Sequence, residues 1–132
     1  MKVIDSSSVA KLVNREENSE AVEEALRGGC VSLELCVKET GNSLWKRVHR
    51  GLLDPRKAGS VFREFVASRP FAVAEQQDLY ASAFKAAVSY DLTVYDALFL
   101  ALAKEKGLPL VTSDPSQADA AKKMGLEVEF VP

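Results

Sequence analysis

The sequence predicts an α/β fold: three α/β/α layers around a central parallel sheet, in one domain spanning residues 1–132. Three observations carry this expectation. Short apolar runs alternate with helix-periodic segments along most of the chain. The chain has 132 residues, enough for one domain with its own core. No repeat, low-complexity tract or Pro/Gly/Ser linker divides it.

The elements follow in order. Lys2–Ile4 is a β-type run that stops at Asp5-Ser6-Ser7-Ser8, four residues that cap helices well. Val9, Leu12 and Val13 then fall at helical spacing. Ser19 opens a helix over 20–27, which Gly28-Gly29 ends. Residues 30–35 read as a buried strand and 37–50 as a helix stopped by Gly51. Asp54-Pro55 starts the next helix, with the acid as cap and proline at the first helical position. Residues 71–74 read as extended and 78–89 as a helix. Thr93 caps a helix over 94–106, terminated by Gly107 and Pro109. Leu110–Thr112 is a strand ending at Ser113-Asp114-Pro115, residues 116–124 form the last helix, and 127–131 alternate like an edge strand.

Composition removes several classes. Hydrophobic residues make up 47% and charged residues 27%, the balance of a folded globular chain rather than a disordered one. No apolar stretch approaches the roughly 20 residues of a membrane span. Asp5 interrupts the N-terminal run too early for a signal peptide, so a cytoplasmic protein is expected. Cys30 and Cys36 are too few for a disulfide framework or a zinc site and read as reduced thiols. With one histidine, His49, any His-based mechanism has one candidate.

The informative residues are acids. Asp5 and Asp114 each follow a strand, where open α/β sheets bind ligands at a switch point; each is also placed to cap the next helix. Asp96 sits in the first turn of a helix apolar on nearly all sides. It serves the helix dipole, a capping box, a buried ion pair, or a site. Glu39 shares a helix face with Asn42, Ser43 and Lys46, and is either a solvated acid or a ligand. If the four meet, two like charges about 4 Å apart repel by roughly 4 kcal/mol at an effective dielectric of 20. Cations or protons must then be present. Hard oxygen donors select Mg²⁺ or Mn²⁺, and no His or Cys is offered for zinc. Such a metal site supports phosphodiester hydrolysis without a catalytic Ser or His.

These motifs are Asp5-Ser6-Ser7 at a strand end, Glu39-Thr40-Gly41-Asn42 opening a helix, Tyr95-Asp96-Ala97 heading an apolar helix, and Thr112-Ser113-Asp114 closing a strand. In this order they resemble the PIN-domain family, and more narrowly the VapC-type toxin ribonucleases of prokaryotic toxin–antitoxin pairs. The resemblance covers almost the whole chain. It implies an Mg²⁺- or Mn²⁺-dependent endoribonuclease with a tetrad of Asp5, Glu39, Asp96 and Asp114. Asp5, Asp96 and Asp114 would hold the principal ion. Glu39 would help hold a second or position the attacking water. Ser6 or Ser7 and Thr112 would support the strand ends, and Asn42 would orient Glu39 or a water on the ion. It further implies 5′-phosphate and 3′-hydroxyl products, a homodimer, and a small antitoxin partner whose arm covers the site.

The net charge of −2 speaks mildly against nucleic acid, but its distribution does not. Between Lys38 and Lys57 there are six bases against two acids. Lys38, Lys46, Arg47 and Arg50 of the Glu39 helix could hold RNA phosphates, or form an ordinary solvated face. Val61, Phe62, Phe65 and Val66 are core, a homodimer face or an antitoxin groove. Two other classes stay open. One is a non-catalytic binding subunit. Phosphoacceptor receivers, which also hold Mg²⁺ at strand ends, carry adjacent acids after the first strand where this chain has Asp5 followed by three serines. The other is an RNA-processing nuclease with no toxin role.

Overall fold

The computed structural model describes residues 1–132. Five short strands form one sheet in the order β3-β2-β1-β4-β5, every neighbouring pair parallel. They are β1 (Lys2–Ile4), β2 (Cys30–Leu33), β3 (Ala72–Ala74), β4 (Leu110–Thr112) and β5 (Val128–Phe130). The helices are α1 (Ser6–Val13), α2 (Ser19–Arg27), α3 (Glu34–His49), α4 (Pro55–Ser68), α5 (Tyr80–Tyr90), α6 (Val94–Lys106) and α7 (Pro115–Lys123). This is the three-layer α/β arrangement the alternation predicts.

The order of strands explains the layers. From β1 the chain winds outward through β2 to β3, then returns to the far side of β1 for β4 and β5. Right-handed crossovers in opposite directions put their helices on opposite faces. Accordingly α1, α2, α3 and α4 pack with one another, whereas α5 pairs with α6, which lies against β1, β2 and β4. Strands buried on both faces need apolar side chains throughout, and Val3, Ile4, Leu33, Leu110 and Val111 are fully buried. Residues Ala97 to Ala103 of α6 are buried without a break, so this helix runs through the core. No single helix is long and apolar enough to cross a membrane.

Several boundaries differ from the sequence reading. The second strand ends at Leu33, not at residue 35, and α3 begins at Glu34 rather than at residue 37. Leu33 is extended backbone that hands over to helix with no side-chain cap, so no polar residue marks the junction. The earlier start puts Cys36, Val37, Thr40 and Leu44 on one buried face and moves Glu39 into the second turn. A 3₁₀ turn (Gln77–Leu79) precedes α5, and α7 begins at Pro115.

In α4, Ala58 and Phe65 are buried and Phe62 packs against the core cluster. The ring of Phe62 lies over Gly41 of α3, where a Cβ would come within 2.7 Å of its Cζ. The α4 apolar face is therefore divided: Ala58 and Phe65 are interior, Val61 and Phe62 are half-buried, and Val66 is exposed.

Candidate active site

The chain reverses its winding between β1 and β4, and the carboxyl ends of these adjacent strands form the topological switch point. Asp5 follows β1 directly and caps α1. Its Oδ1 accepts the Ser8 amide at 3.2 Å and the Ser7 hydroxyl at 2.6 Å. Its Oδ2 accepts the hydroxyl of Thr112, the last residue of β4, at 2.5 Å. The Thr112 oxygen in turn accepts the Asp114 amide at 3.1 Å. Ser7 reaches the same loop, accepting the Ser113 amide at 2.9 Å. Two strand ends far apart in sequence are thus stitched together by hydroxyls.

Asp114 caps α7, its Oδ1 accepting the Ser116 amide at 2.9 Å. Both acids therefore cap helices and stand at the switch point at once. Capping occupies only part of a carboxylate, which offers about four lone-pair positions.

Asp96 lies in the first turn of α6, where its amide donates to the Thr93 hydroxyl at 3.2 Å. The helix behind it is buried, but Asp96 itself is only half-buried. Glu39 stands in the second turn of α3, half-buried, its Oε1 accepting the Ser6 hydroxyl at 2.6 Å. Asn42, one turn on, is exposed and makes no hydrogen bond to Glu39; Ser6 fills that place.

The electrostatics connect all four. Burial pushes the Asp5 carboxyl up to about 6, the hydroxyls of Ser7 and Thr112 hold it lower than it would otherwise be, and the Asp114 charge raises it further. Asp96 is raised by burial and then by Asp114. Glu39 is raised by burial and by Asp96, with Ser6 and Lys46 opposing. Repulsion therefore runs from Asp5 to Asp114, from Asp114 to Asp96, and from Asp96 to Glu39. The four ion pairs of the chain, Lys2–Glu129, Arg27–Glu23, Arg69–Glu34 and Lys123–Asp119, all lie elsewhere. None of the four acids is in an ion pair, and the one base that bears on them is Lys46, which acts on Glu39.

As the side chains stand, no three acidic, histidine or cysteine groups converge closely enough to hold an ion. What fits a divalent cation is the donor chemistry: hard oxygens only, mutually repelling, one of them buried. Beneath the cleft Cys36 is buried, which pushes its thiol up to about 12, with the Asp5 charge adding to the effect. It is inert at neutral pH.

Of the basic residues on α3, Lys38, Lys46 and Arg50 are exposed. Arg47 is half-buried and donates at 3.2 Å to Asn14, the residue that ends α1, so it is committed to packing two helices.

One residue near the cleft gives no sequence signal. Gln117 of α7 is 1% exposed. Its amide donates to the Asp96 carbonyl at 2.7 Å, and its Oε1 has no partner.

Comparison with known proteins bears on the family and the fold. The family model for the PIN domain matches residues 2–123. Ribonuclease VapC3 of Pyrobaculum aerophilum is 36% identical over 123 residues, which is 89% of this chain and 92% of the relative. Exonuclease VapC9 of the same organism is 35% identical over 97 residues, 74% of this chain and 70% of the relative. The crystal structure of PAE2754 from Pyrobaculum aerophilum superposes with a TM-score of 0.74 at 26% identity, covering 96% of this chain and 87% of the other. FitAcB from Neisseria gonorrhoeae shares the fold with a TM-score of 0.64 at 20% identity, covering 98% and 96%.

Proposed function

The chain belongs to the PIN-domain family, and from that premise we propose that it is a divalent-metal-dependent endoribonuclease, the toxin of a VapC-type toxin–antitoxin pair. The observation that carries this reading is the placement of Asp5 and Asp114 at adjacent strand ends, with repulsion running on through Asp96 to Glu39 and only Lys46 opposing it there. Burying a carboxylate without a partner is costly, and a bound cation removes that cost. Relatives named as ribonuclease and exonuclease support phosphodiester chemistry.

Asp5, Asp96 and Asp114 would hold an Mg²⁺ or Mn²⁺ ion, and Glu39 would hold a second or orient a water. An ion in this cleft supplies water activation and charge neutralisation on the leaving oxygen. Ser7 and Thr112 hold the Asp5 carboxylate from both sides, and Ser6 holds Glu39. Asn42 faces solvent beside Glu39 and is available to a water there. Lys38, Lys46 and Arg50 carry RNA phosphates, and Arg47 contributes charge while anchored to Asn14.

A small antitoxin silences the enzyme by covering the acids. Two copies of the chain associate through the exposed face of α5, where Tyr80, Phe84 and Val88 recur every fourth residue.

The test is incubation of the purified protein with a circular RNA, which an exonuclease cannot enter. Cleavage is expected with Mg²⁺ or Mn²⁺, absent with chelator, and lost in Asp5→Asn and Asp96→Asn. Absence of cutting with either metal, or unchanged cutting by both variants, overturns the reading. RNA bound but left intact identifies a non-catalytic binding subunit instead.

A further inference from the structure

The chain has a single tryptophan, Trp45, and it lies on the surface of α3, 56% exposed. Four residues on, His49 is also exposed. The two rings are stacked, with centroids 5.1 Å apart and planes inclined by 12°. At about 100° per residue, Trp45, His49, Lys38, Asn42, Lys46 and Arg50 all fall within an arc of roughly 140°, and Glu39 lies inside it. The opposite side of α3 carries the buried Cys36, Val37, Thr40 and Leu44. The arc therefore faces away from the core, and Lys38, Lys46 and Arg50 on it have no ion-pair partner.

Aromatic rings that face solvent among unpaired cations are the two components of a single-strand binding surface. The cations attract the phosphates, and the ring face accepts a base. Trp45 lies six residues beyond Glu39, about 9 Å along the axis and about 120° around it.

We propose that the stacked Trp45–His49 pair is a platform for one unpaired base of single-stranded RNA lying along the face of α3 that carries Glu39. The proposal rests on the ribonuclease reading and adds where the substrate lies. A base in a duplex cannot stack on the platform without leaving its pair, so the substrate at this point is single-stranded.

Because Trp45 is the only tryptophan, its emission reports on this site alone. The protein is titrated, in chelator so that nothing is cut, with a short single-stranded oligoribonucleotide. A labelled copy gives binding independently by anisotropy. Expected is quenching of Trp45 that saturates with binding, and none from the same sequence as a duplex. Trp45→Ala weakens binding about 5- to 150-fold, the range for one stacked base, and Trp45→Phe restores most of it. Binding without quenching, or unchanged affinity in Trp45→Ala, overturns the platform while the ribonuclease reading stands. Emission that depends on protein concentration without RNA places Trp45 against a second copy and also overturns it. If the oligonucleotide neither binds nor is cut when Mg²⁺ is restored, the ribonuclease reading fails and takes the platform with it.

Discussion

The side-chain amide of Gln117 donates to the backbone carbonyl of Asp96 across 2.7 Å, joining the first turn of α7 to the first turn of α6. Asp114 caps α7 and Asp96 sits at the start of α6, so this bond sets the separation of two carboxylates that repel one another. Gln117→Met keeps the volume and removes the tie. It loses one hydrogen bond but also an unpartnered buried oxygen, so stability changes by only about 1 kcal/mol. Cleavage falls about tenfold through misplacement of the acids. Thermal melting and initial rates measured together check this; a rate loss that merely tracks a large drop in stability refutes the positioning role.

Asp5 makes the metal-free protein sensitive to pH in a defined direction. Its carboxyl titrates near 6 in the fold against an ordinary value of 3.8. Below the ordinary value both folded and unfolded chains are protonated there, and burial costs nothing. Between the two values the unfolded chain is ionised and the folded chain is not, so stability falls by about 3 kcal/mol as pH rises from 3.8 to 6 and is level above. Asp5→Asn removes this loss, so in chelator the variant is more stable than the wild type at pH 7.5 by roughly that amount, and the two converge at pH 4. Saturating Mg²⁺ closes the gap at high pH by stabilising the wild type. Equal stability of the two proteins at both pH values in chelator contradicts the assignment of cost to Asp5.

Asp96→Asn tests the cluster without disturbing the core, since this side chain is half-buried and its amide keeps the Thr93 cap. Cleavage drops on the order of a hundredfold or more, and a higher Mn²⁺ concentration is needed for half-maximal rate. Circular dichroism remains that of the wild type. Substitution of Asp5 by Ala is a poorer probe, because Ser7, Ser8 and Thr112 all donate to Asp5.

Gly41→Ala places a Cβ 2.7 Å from Cζ and 2.9 Å from Cε1 of Phe62. Helix propensity gains about 1 kcal/mol, and overpacking costs about 1–3 kcal/mol. Net destabilisation up to about 2 kcal/mol follows. In a Phe62→Leu background, where the ring is gone, the same substitution becomes neutral or stabilising. Urea unfolding of the four proteins of the cycle measures this.

Phe84 is 62% exposed at the centre of the α5 stripe, between Tyr80 and Val88. Phe84→Lys places a charge in the proposed dimer face and gives a monomer at micromolar concentration by light scattering. A wild-type protein that is itself monomeric there removes the dimer.

Much of the cleft was legible because its signals are local. Asp5 and Asp114 announce themselves by following a strand and preceding a helix, and the cap hydrogen bonds that place them span three residues or fewer. Asp96 stands out because an acid in so apolar a helix demands a reason. The start of α3 was not legible, since Leu33 and Glu34 bear no cap signature. Gln117 was hidden for a different reason. A glutamine in a short polar helix reads as solvated, and only the packing of α7 beside α6 buries it.

Local chemistry along the chain thus settles which residues end strands, cap helices and carry charge. It cannot settle how far apart those residues lie. Asp5 and Thr112 are 107 residues apart, yet share a hydrogen bond because β4 pairs with β1 rather than extending the sheet beyond β3. That pairing is chosen by burial summed over the whole core. The approach of Asp5 to the strand end that carries Asp114 is therefore a property of the sheet order, and their repulsion is tolerated because packing elsewhere outweighs it.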